Sequence, residues 1–591
     1  MPITSLPKGV LRHQEEAFAP TSMIDTLYDY GEFLETADMN DAIAEGPESA
    51  KNIAVVGAGA AGLVAAYELS RVHNINVTLY ESSDRIGGRM YSVVNPDPGY
   101  KPKIFELGCM RFPPTSTTLF HYLNKFQLKT LDNFPDPGVV KTNLMYENHI
   151  IDWKAGEAAP EDPEFQRIGK DFVKMINHLL GDANHAQVDD PKKLFDYWAI
   201  YQDAKNDENK KGVVEEWQKI LDTYKNVTFY EGIFALSQDP KILKRKWTQE
   251  DMNRFGALGV GSGGMGSLFP VNFVEMIRLF ANGWEDKQRF LESGIVSLVD
   301  AFKNACMMQG VGINTGTKVA KIKPVNDQYM LIMSNDECSI NYDAVIVATT
   351  TRAMEYMGLT VDGFSDGRVL KVSLLGQGPK VAIRNLHLMN SSKFFVTTRT
   401  KFWYKENNDT GNDLPANMQT DELMRGLYCL DYDTPTDGSA NRNPAGKGVV
   451  LISYVWGDDS SKLLALTEEE RYQQFLQGIT KINPTFAKLL DEQREDTCFI
   501  DWENSKDYYG AFKINYPGQE QANHDAFFQF QAEKQGVFIA GDSVSFAGGW
   551  LEGAMPTGVN AACAAVRHVG GRLLPKSPLV EIDSDMYSYG H

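Results

Sequence analysis

The residues whose types and spacing can do chemistry begin at Gly57-Ala58-Gly59-Ala60-Ala61-Gly62, a G-x-G-x-x-G. The apolar run Ile53-Ala54-Val55-Val56 precedes it, and LVAAYELSRV, with apolar residues at helical spacing, follows. In such a turn the first glycine permits the tight bend and the second lets backbone approach a pyrophosphate. The third lets helix and strand pack closely, while the helix N-terminus offers free N–H groups and a positive dipole end. Val77-Thr78-Leu79-Tyr80 completes a βαβ pattern, and Glu81 closes it nineteen positions after Gly62. A carboxylate there accepts hydrogen bonds from both ribose hydroxyls and repels a 2′-phosphate. Arg85-Ile86-Gly87-Gly88-Arg89 then adds two glycines and a guanidinium, a second anion-binding turn at the same pyrophosphate. A nicotinamide enzyme does not need that second clamp.

The elements that must hold these residues belong to a chain of 591 residues, enough for three or four lobes at about 150 residues each. Asp and Glu outnumber Lys and Arg by 78 to 58, giving a net charge of −20. With no long basic run, nucleic acid is not an expected partner. Hydrophobic and charged fractions of 43% and 23% exclude wholesale disorder. No run approaches the roughly 18 apolar residues of a membrane span, and the first residues lack a signal-peptide core. Six scattered cysteines without a CxxC pair argue against a disulfide scaffold or a zinc site. These features predict a protein of a reducing compartment, cytoplasmic, without metal or membrane partner.

The first fifty residues are acidic, and DAIAEGPESAKN has the composition of a polar linker, so order is expected from Ile53. Between about 150 and 290, FVKMINHLL, VVEEWQKIL and NFVEMIRLF predict helices. Ala344-Val345-Ile346-Val347, KFFVTTRT and VVLISYVW predict strands. The Asn-, Asp-, Gly- and Pro-dense stretch from about 405 to 447 is expected to be a surface loop. Val537-Phe538-Ile539-Ala540 reads as another buried strand, followed by the helix GVNAACAAVRHV. The tail after Lys576 is short and acidic, and mobility is expected there.

The strand–GxGxxG–helix–strand–E–x₃–R–x–GGR series resembles the signature of the flavin-dependent amine oxidase superfamily. The resemblance implies FAD, bound by its ADP half at these residues. It continues in Thr317 to Ile322, where the Val319 backbone would contact adenine, and in Val347-Ala348-Thr349, where the family often has ATG. In Ile539-Ala540-Gly541-Asp542 the acid would bind the ribityl or pyrophosphate portion. Gly548-Gly549-Trp550-Leu551 resembles the turn that passes along the isoalloxazine, its aromatic residue forming one wall of the substrate site. The flavin-contacting set so implied is Gly57, Gly59, Ala61, Gly62, Glu81, Arg85, Gly88, Arg89, Met110, Arg111, Val319, Asp542, Gly549, Trp550 and Leu551.

Amino-acid oxidases must also hold a carboxylate, a task suited to a planar guanidinium. Phe105 to Pro114 is similar to the family segment ELG-x-MRFP, whose arginine clamps that carboxylate, here Arg111. Its structural alternative is a pairing with Glu106 or another acid. Arg254 to Gly256, Gly261 to Gly266 and Asn282 to Glu285 resemble the tryptophan 2-monooxygenases and the related lysine oxidase/monooxygenases. By that resemblance Tyr428 would donate to the carboxylate, and Lys393 would hold a water near the flavin N5 as a catalytic residue beside Trp550. Trp456 and Tyr508 would border the side-chain pocket, with Met265 and Gly549 completing the substrate set. Glu250 and Asp251 either meet a cationic substrate or favour a helix N-terminus.

The implied fold is α/β. A Rossmann-like FAD domain, discontinuous in sequence (51–110, 289–352, 531–575), joins a mixed-sheet substrate domain (111–150, 353–530) and a helical subdomain (151–288). An N-terminal extension (1–50) and a tail (576–591) flank them, and a homodimer is expected. The expected activity is an L-amino-acid oxidase, with hydride passing from the α-carbon to flavin N5 and giving 2-oxo acid, ammonia and H₂O₂ from amino acid and O₂. The alternative is a 2-monooxygenase giving the decarboxylated amide. An NAD dehydrogenase would leave the GGR, ELGCMRFPP and GGW segments unexplained. A non-catalytic flavoprotein would leave Arg111, Lys393 and Trp550 without a task.

Overall fold

The computed structural model describes residues 20–582, apart from 182–191, 204, 258–263, 285–286, 362–363, 366–367, 370–372, 434–442 and 533. The expected features at Gly261 to Gly263, at Glu285 and in the tail beyond 582 lie outside the described residues. The fold is mixed α/β. Five parallel strands form its centre, in the order Gly312–Asn314, Ile75–Tyr80, Lys51–Val56, Ala344–Val347, Val537–Ile539. The two middle strands align Ala54 with Val345 and Val56 with Val347, and Ile346 lies beside Phe538. A parallel strand buried on both faces has no polar alternation. Ala344–Val347, Val537–Ile539 and the end of Lys51–Val56 are accordingly continuously apolar, while Ile75–Tyr80 and the edge strand Gly312–Asn314 are not. Helices Ala60–Ser70 and Leu551–His568 cover the sheet and pack on each other.

A seven-stranded mixed sheet stands beside this unit, in the order Arg494–Asp501, Ser391–Thr398, Gly448–Trp456, Gly426–Leu430, Asn417–Thr420, Thr142–Tyr146, His149–Trp153. Only Asn417–Thr420 and Thr142–Tyr146 pair in parallel. The expected loop from 405 to 447 is therefore wrong over its central part. Asn417–Thr420 and Gly426–Leu430 are fully buried strands. Their buried amides bond to one another and to a neighbouring turn: Asn417 Nδ2 donates to Pro135 O (2.9 Å), and Gln419 Nε2 donates to Asn417 Oδ1 (2.9 Å). Composition had signalled a turn where hydrogen bonding makes a core strand.

The middle of the chain is helical, with Pro163–Leu180, Leu194–Asp203, Asp207–Tyr224, Phe229–Gln238, Gln249–Ala257 and Phe273–Ala281 around a core that includes Phe172, Trp198, Trp217 and Phe255. Among the described residues, no helix is long and apolar enough to cross a membrane.

Order begins well before Ile53. The helix Tyr30–Met39, capped by Asp29, packs into the main core, and Tyr30 Oη donates to Asn560 Oδ1 (2.9 Å). Within the expected linker, Ala44–Glu45 pairs antiparallel with Arg572–Leu573. Asp25 is the deeper anchor. Its carboxylate accepts from Arg278 Nε (2.8 Å) and Nη2 (2.9 Å) and from Trp217 Nε1 (3.1 Å), all buried. Removing one partner of a buried pair costs about 3–5 kcal/mol. Because Glu520 (2.5 Å) and Glu275 (3.4 Å) also flank Arg278, Asp25→Ala should sit at the lower end. Chemical denaturation should therefore show Asp25→Ala less stable by about 3 kcal/mol, while Asp38→Ala, at a more exposed ion pair, loses about 1 kcal/mol or less. Equal stability of Asp25→Ala and the parent would mean that this segment is not anchored by the pair.

Candidate functional site

A cavity of about 340 Å³ opens where the parallel strands end. Its walls include Val56, Gly57, Tyr80, Glu81, Ala348, Thr349 and Gly541, all at or just past strand carboxyl ends, where open α/β sheets bind ligands. Gly57 adopts φ +100°, and a Cβ on Gly62 would lie 1.9 Å from Gly57 O, so neither position tolerates a side chain. Gly59 differs: a Cβ there would meet no atom closer than Gly88 Cα at 4.0 Å. Gly88, at φ +60°, has its own missing Cβ only 2.9 Å from Gly59 Cα. The two glycine turns thus touch through bare backbone, and Gly87 N donates to Ala58 O (2.8 Å).

The helix starting at Ala60 has no side-chain cap on Gly59, and its first intrahelical bond is Leu63 N to Gly59 O (2.9 Å). The unbonded N–H groups of this first turn face a cavity lined by Gly59, Ala60 and Ala61. Glu81 is buried and orders the neighbouring turns: it accepts from Ala58 N, Ser83 N and Ser83 Oγ, each at 2.9 Å. Its own carbonyl accepts from Thr317 N (2.8 Å), which brings Thr317 to Ala320, and with them Val319, to the same wall. A donor-rich turn, open space above Gly59 and a buried carboxylate one strand away fit the ADP half of a flavin dinucleotide.

Arg89 and Asp542 line the cavity but also bind each other. Arg89 forms a bidentate pair with Asp542 and donates to Ala511 O (2.8 Å), and Asp542 Oδ2 also accepts from Gly549 N (3.4 Å). The Asp542 carboxylate thereby fixes the Gly548-Gly549 turn relative to the GGR turn. Gly549, Trp550 and Leu551 follow along the wall, and Trp550 is the uncapped N-cap of the long buried helix Leu551–His568. Glu552 turns away from the cavity. It accepts from Thr118 N (3.0 Å) and Oγ1 (2.7 Å) and from Leu119 N (3.0 Å), capping another helix, and burial pushes its carboxyl up to about 7.

Arg111 and Met110 reach the cavity beside Trp550. The Arg111 guanidinium carbon lies 5.9 Å from the ring centroids of both Phe134 and Trp550. Glu106 is not its counter-charge, since that carboxylate accepts from Ser92 Oγ (2.7 Å) and Ile295 N (2.8 Å). Lys393, at the strand Ser391–Thr398, is buried over the Tyr454 ring at 4.7 Å. Its Nζ donates to Glu106 O (2.9 Å) and Gly108 O (2.6 Å), while Trp502 Nε1 donates to Leu107 O (3.0 Å). Three successive carbonyls leading to Arg111 are therefore gripped by two side chains. Lys393 has three donors, so one remains for the cavity it lines. Desolvation lowers its ammonium to about 8, against the opposing pull of Glu106. Desolvation likewise raises Glu106 to about 7.

Four expected site residues lie off the wall. Gly62 acts through packing. Arg85 stacks on Tyr91, 3.8 Å from its ring centroid, because the turn points it outward from the glycines. Tyr428 is buried behind the wall against Phe134 (5.8 Å), its Oη accepting from Gln419 Nε2 (3.2 Å). Burial raises its phenol, and the Arg111 charge opposes that. Met265 is a core residue of the helical region. Tyr508 does line the cavity, but its neighbours are Arg85 (5.3 Å) and Trp502 (5.1 Å), so it stands beside Glu81 rather than beside Trp456. Trp456 packs on Phe512 at 5.1 Å, and its Nε1 has no hydrogen-bond partner among the described residues. Glu250 and Asp251 are committed elsewhere, to Tyr146 and Arg254 and to Arg167 and Thr248. Sequence reasoning missed Trp502, Phe512 and Glu275, which reach the wall from segments without a local motif.

The sequence matches the family described as flavin containing amine oxidoreductase over residues 60–566. A tryptophan 2-monooxygenase of Pseudomonas savastanoi is 37% identical over 583 residues, covering 94% of this chain and 97% of that protein. One from Pantoea agglomerans pv. gypsophilae is 36% identical, covering 96% and 98%. Among solved structures, a putrescine oxidase bound to putrescine superimposes with a TM-score of 0.62 at 16% identity, covering 88% of this chain and 99% of that one. The chain belongs to the flavin-containing amine oxidoreductases, and its cofactor is FAD.

Proposed function

We propose that this protein is an L-amino-acid 2-monooxygenase acting on an aromatic amino acid. It would convert amino acid and O₂ to the amide one carbon shorter, CO₂ and water. The observation that carries this reading is Arg111, a guanidinium on an aromatic-walled cavity, with Lys393 fixing the backbone that leads to it. The names and coverage of the tryptophan 2-monooxygenase relatives favour this outcome over the oxidase expected from sequence, which would release 2-oxo acid and H₂O₂.

FAD supplies the two-electron acceptor and the centre that reacts with O₂. The chain's own residues do the rest. Arg111 presents a planar fork to the substrate carboxylate, a geometry that a lysine cannot supply. The buried Lys393 charge disfavours a second ammonium nearby, so the bound substrate amine is held neutral, its lone pair free to assist loss of hydride from the α-carbon. The uncapped N-terminus of the helix beginning at Leu551 offers N–H donors and a positive dipole end to negative charge that develops beside it. Trp550, Trp456 and Phe512 exclude water from the reacting carbon.

Mass spectrometry of the products of tryptophan turnover tests the outcome: indole-3-acetamide with little H₂O₂ is expected. A 2-oxo acid with stoichiometric H₂O₂ would return the oxidase reading. Arg111→Lys should retain FAD yet bleach it about 100-fold more slowly with an amino acid, since a misplacement of about 1 Å costs that much. Lys393→Met should slow bleaching by a similar factor. Lys393 carries its proton below about pH 8 and loses it above, when its bonds to both carbonyls lose their charge assistance. The parent's bleaching rate should therefore fall through a limb near pH 8. Lys393→Met should lack that limb, and a limb that survives in this variant would assign the titration to another group.

A further inference from the structure

From the part of the cavity wall formed by the helix Phe273–Ala281, we infer that Glu275 recognises the substrate side chain by accepting a hydrogen bond from a ring N–H, and so selects an indole. The inference rests on the aromatic amino-acid reading above and narrows it to one side chain.

Glu275 sits in the helix Phe273–Ala281 and lines the cavity together with Leu268, Met276, Leu279, Trp456 and Phe512. It is 6% exposed. All the hydrogen bonds that hold it fall on one oxygen: Oε1 accepts from Lys513 Nζ (3.0 Å) and Asn515 Nδ2 (2.6 Å), with Arg278 Nη1 at 3.4 Å. Among the described residues no donor reaches Oε2, which is left to the cavity. A buried carboxylate oxygen without a donor is costly unless a ligand supplies one. The surrounding charges add to this: Asp25, Glu275 and Glu520 all lie within 3.4 Å of Arg278, so Glu275 shares that cation with two other carboxylates. Burial pushes the Glu275 carboxyl up, and a donor at Oε2 offsets that penalty.

The rest of the wall defines the donor. Leu268, Met276, Leu279 and Ile514 are aliphatic, and Trp456 and Phe512 meet edge to face at an interplanar angle of 70°. Such a lining accepts a flat apolar ring and gives a cationic tail only one polar contact. A ring that is apolar over its faces and carries one N–H at its edge satisfies both features. A phenyl ring fills the space but leaves Oε2 without a donor.

The discriminating substrates are L-tryptophan, its benzothiophene analogue (sulfur in place of the ring N–H), L-phenylalanine and L-lysine, each used to bleach the flavin anaerobically. The parent should prefer tryptophan to the benzothiophene analogue by about 10- to 100-fold in kcat/KM, the range for a hydrogen bond to a charged group. Glu275→Gln keeps the shape. With its amide oxygen toward Lys513 and Asn515, it turns an N–H₂ toward the cavity and opposes the ring N–H. It should lose about that factor for tryptophan, leave phenylalanine within about twofold, and abolish the preference over the benzothiophene analogue. Equal parent rates with tryptophan and the analogue would overturn the assignment even if Glu275→Gln failed to fold. So would equal losses for tryptophan and phenylalanine in Glu275→Gln, which would mark Glu275 as purely structural. If the parent flavin bleaches with lysine but with none of the aromatic amino acids, the proposed function itself falls, and the indole assignment falls with it.

Discussion

One buried ammonium holds two halves of the molecule in register. Lys393 belongs to the seven-stranded sheet, and the carbonyls it grips belong to the strand-and-turn segment that leads out of the dinucleotide fold. Glu106 O, Leu107 O and Gly108 O fall where the strand Lys103–Glu106 has ended, so no ladder can take all of them. In a dry interior such carbonyls need donors. Lys393 and Trp502 supply these from the other domain, and the Arg111 guanidinium inherits its position from the arrangement. The ammonium is costly to bury, as its lowered titration near 8 records, and three polar contacts at most repay it.

The same economy governs the cofactor end. The glycine turns 57–62 and 87–88 meet as bare backbone because a side chain on Gly88 would press on Gly59, and Glu81 then holds both its own turn and the strand carrying Val319. Asp542 repeats the device one strand further along, joining Arg89 to the Gly549 turn. Each cofactor-side carboxylate is thus also a brace between turns. Loss of either one would move the backbone that lines the cavity.

What was legible in the sequence follows from this distinction between local and non-local work. Gly57 to Gly62 and Glu81 form their site within one βαβ unit, so spacing alone placed them. Arg111 and Trp550 were legible through the segments that carry them. The strands Asn417–Thr420 and Gly426–Leu430 were hidden because the donors of Asn417 and Gln419 find buried acceptors in Pro135 O and Asn417 Oδ1, contacts no single segment reveals. Residues 20–50 looked like a polar extension because the partners of Asp25 lie 192 and 253 positions away. Glu275 and Arg278 sit three apart on a helix, as a solvated ion pair would, and only the tertiary structure shows both buried.

The two charged groups on the cavity wall then differ in kind. At Arg111 a cation stands beside the aromatic rings of Phe134 and Trp550. At Glu275 a carboxylate stands among aliphatic and aromatic walls, and its own donors come from beneath. The cluster of Asp25, Glu275, Glu520, Arg278 and Lys513 is buried where the helical region meets residues 513–520, and water cannot relax it there. Replacing the cluster by apolar residues would cost the fold little or even stabilise it on general grounds. Its presence at a cavity wall is therefore better explained by what enters the cavity than by stability. On the proposed reading, Arg111 would hold the carboxylate that every amino acid carries, and Glu275 would face the side chain that distinguishes one from another.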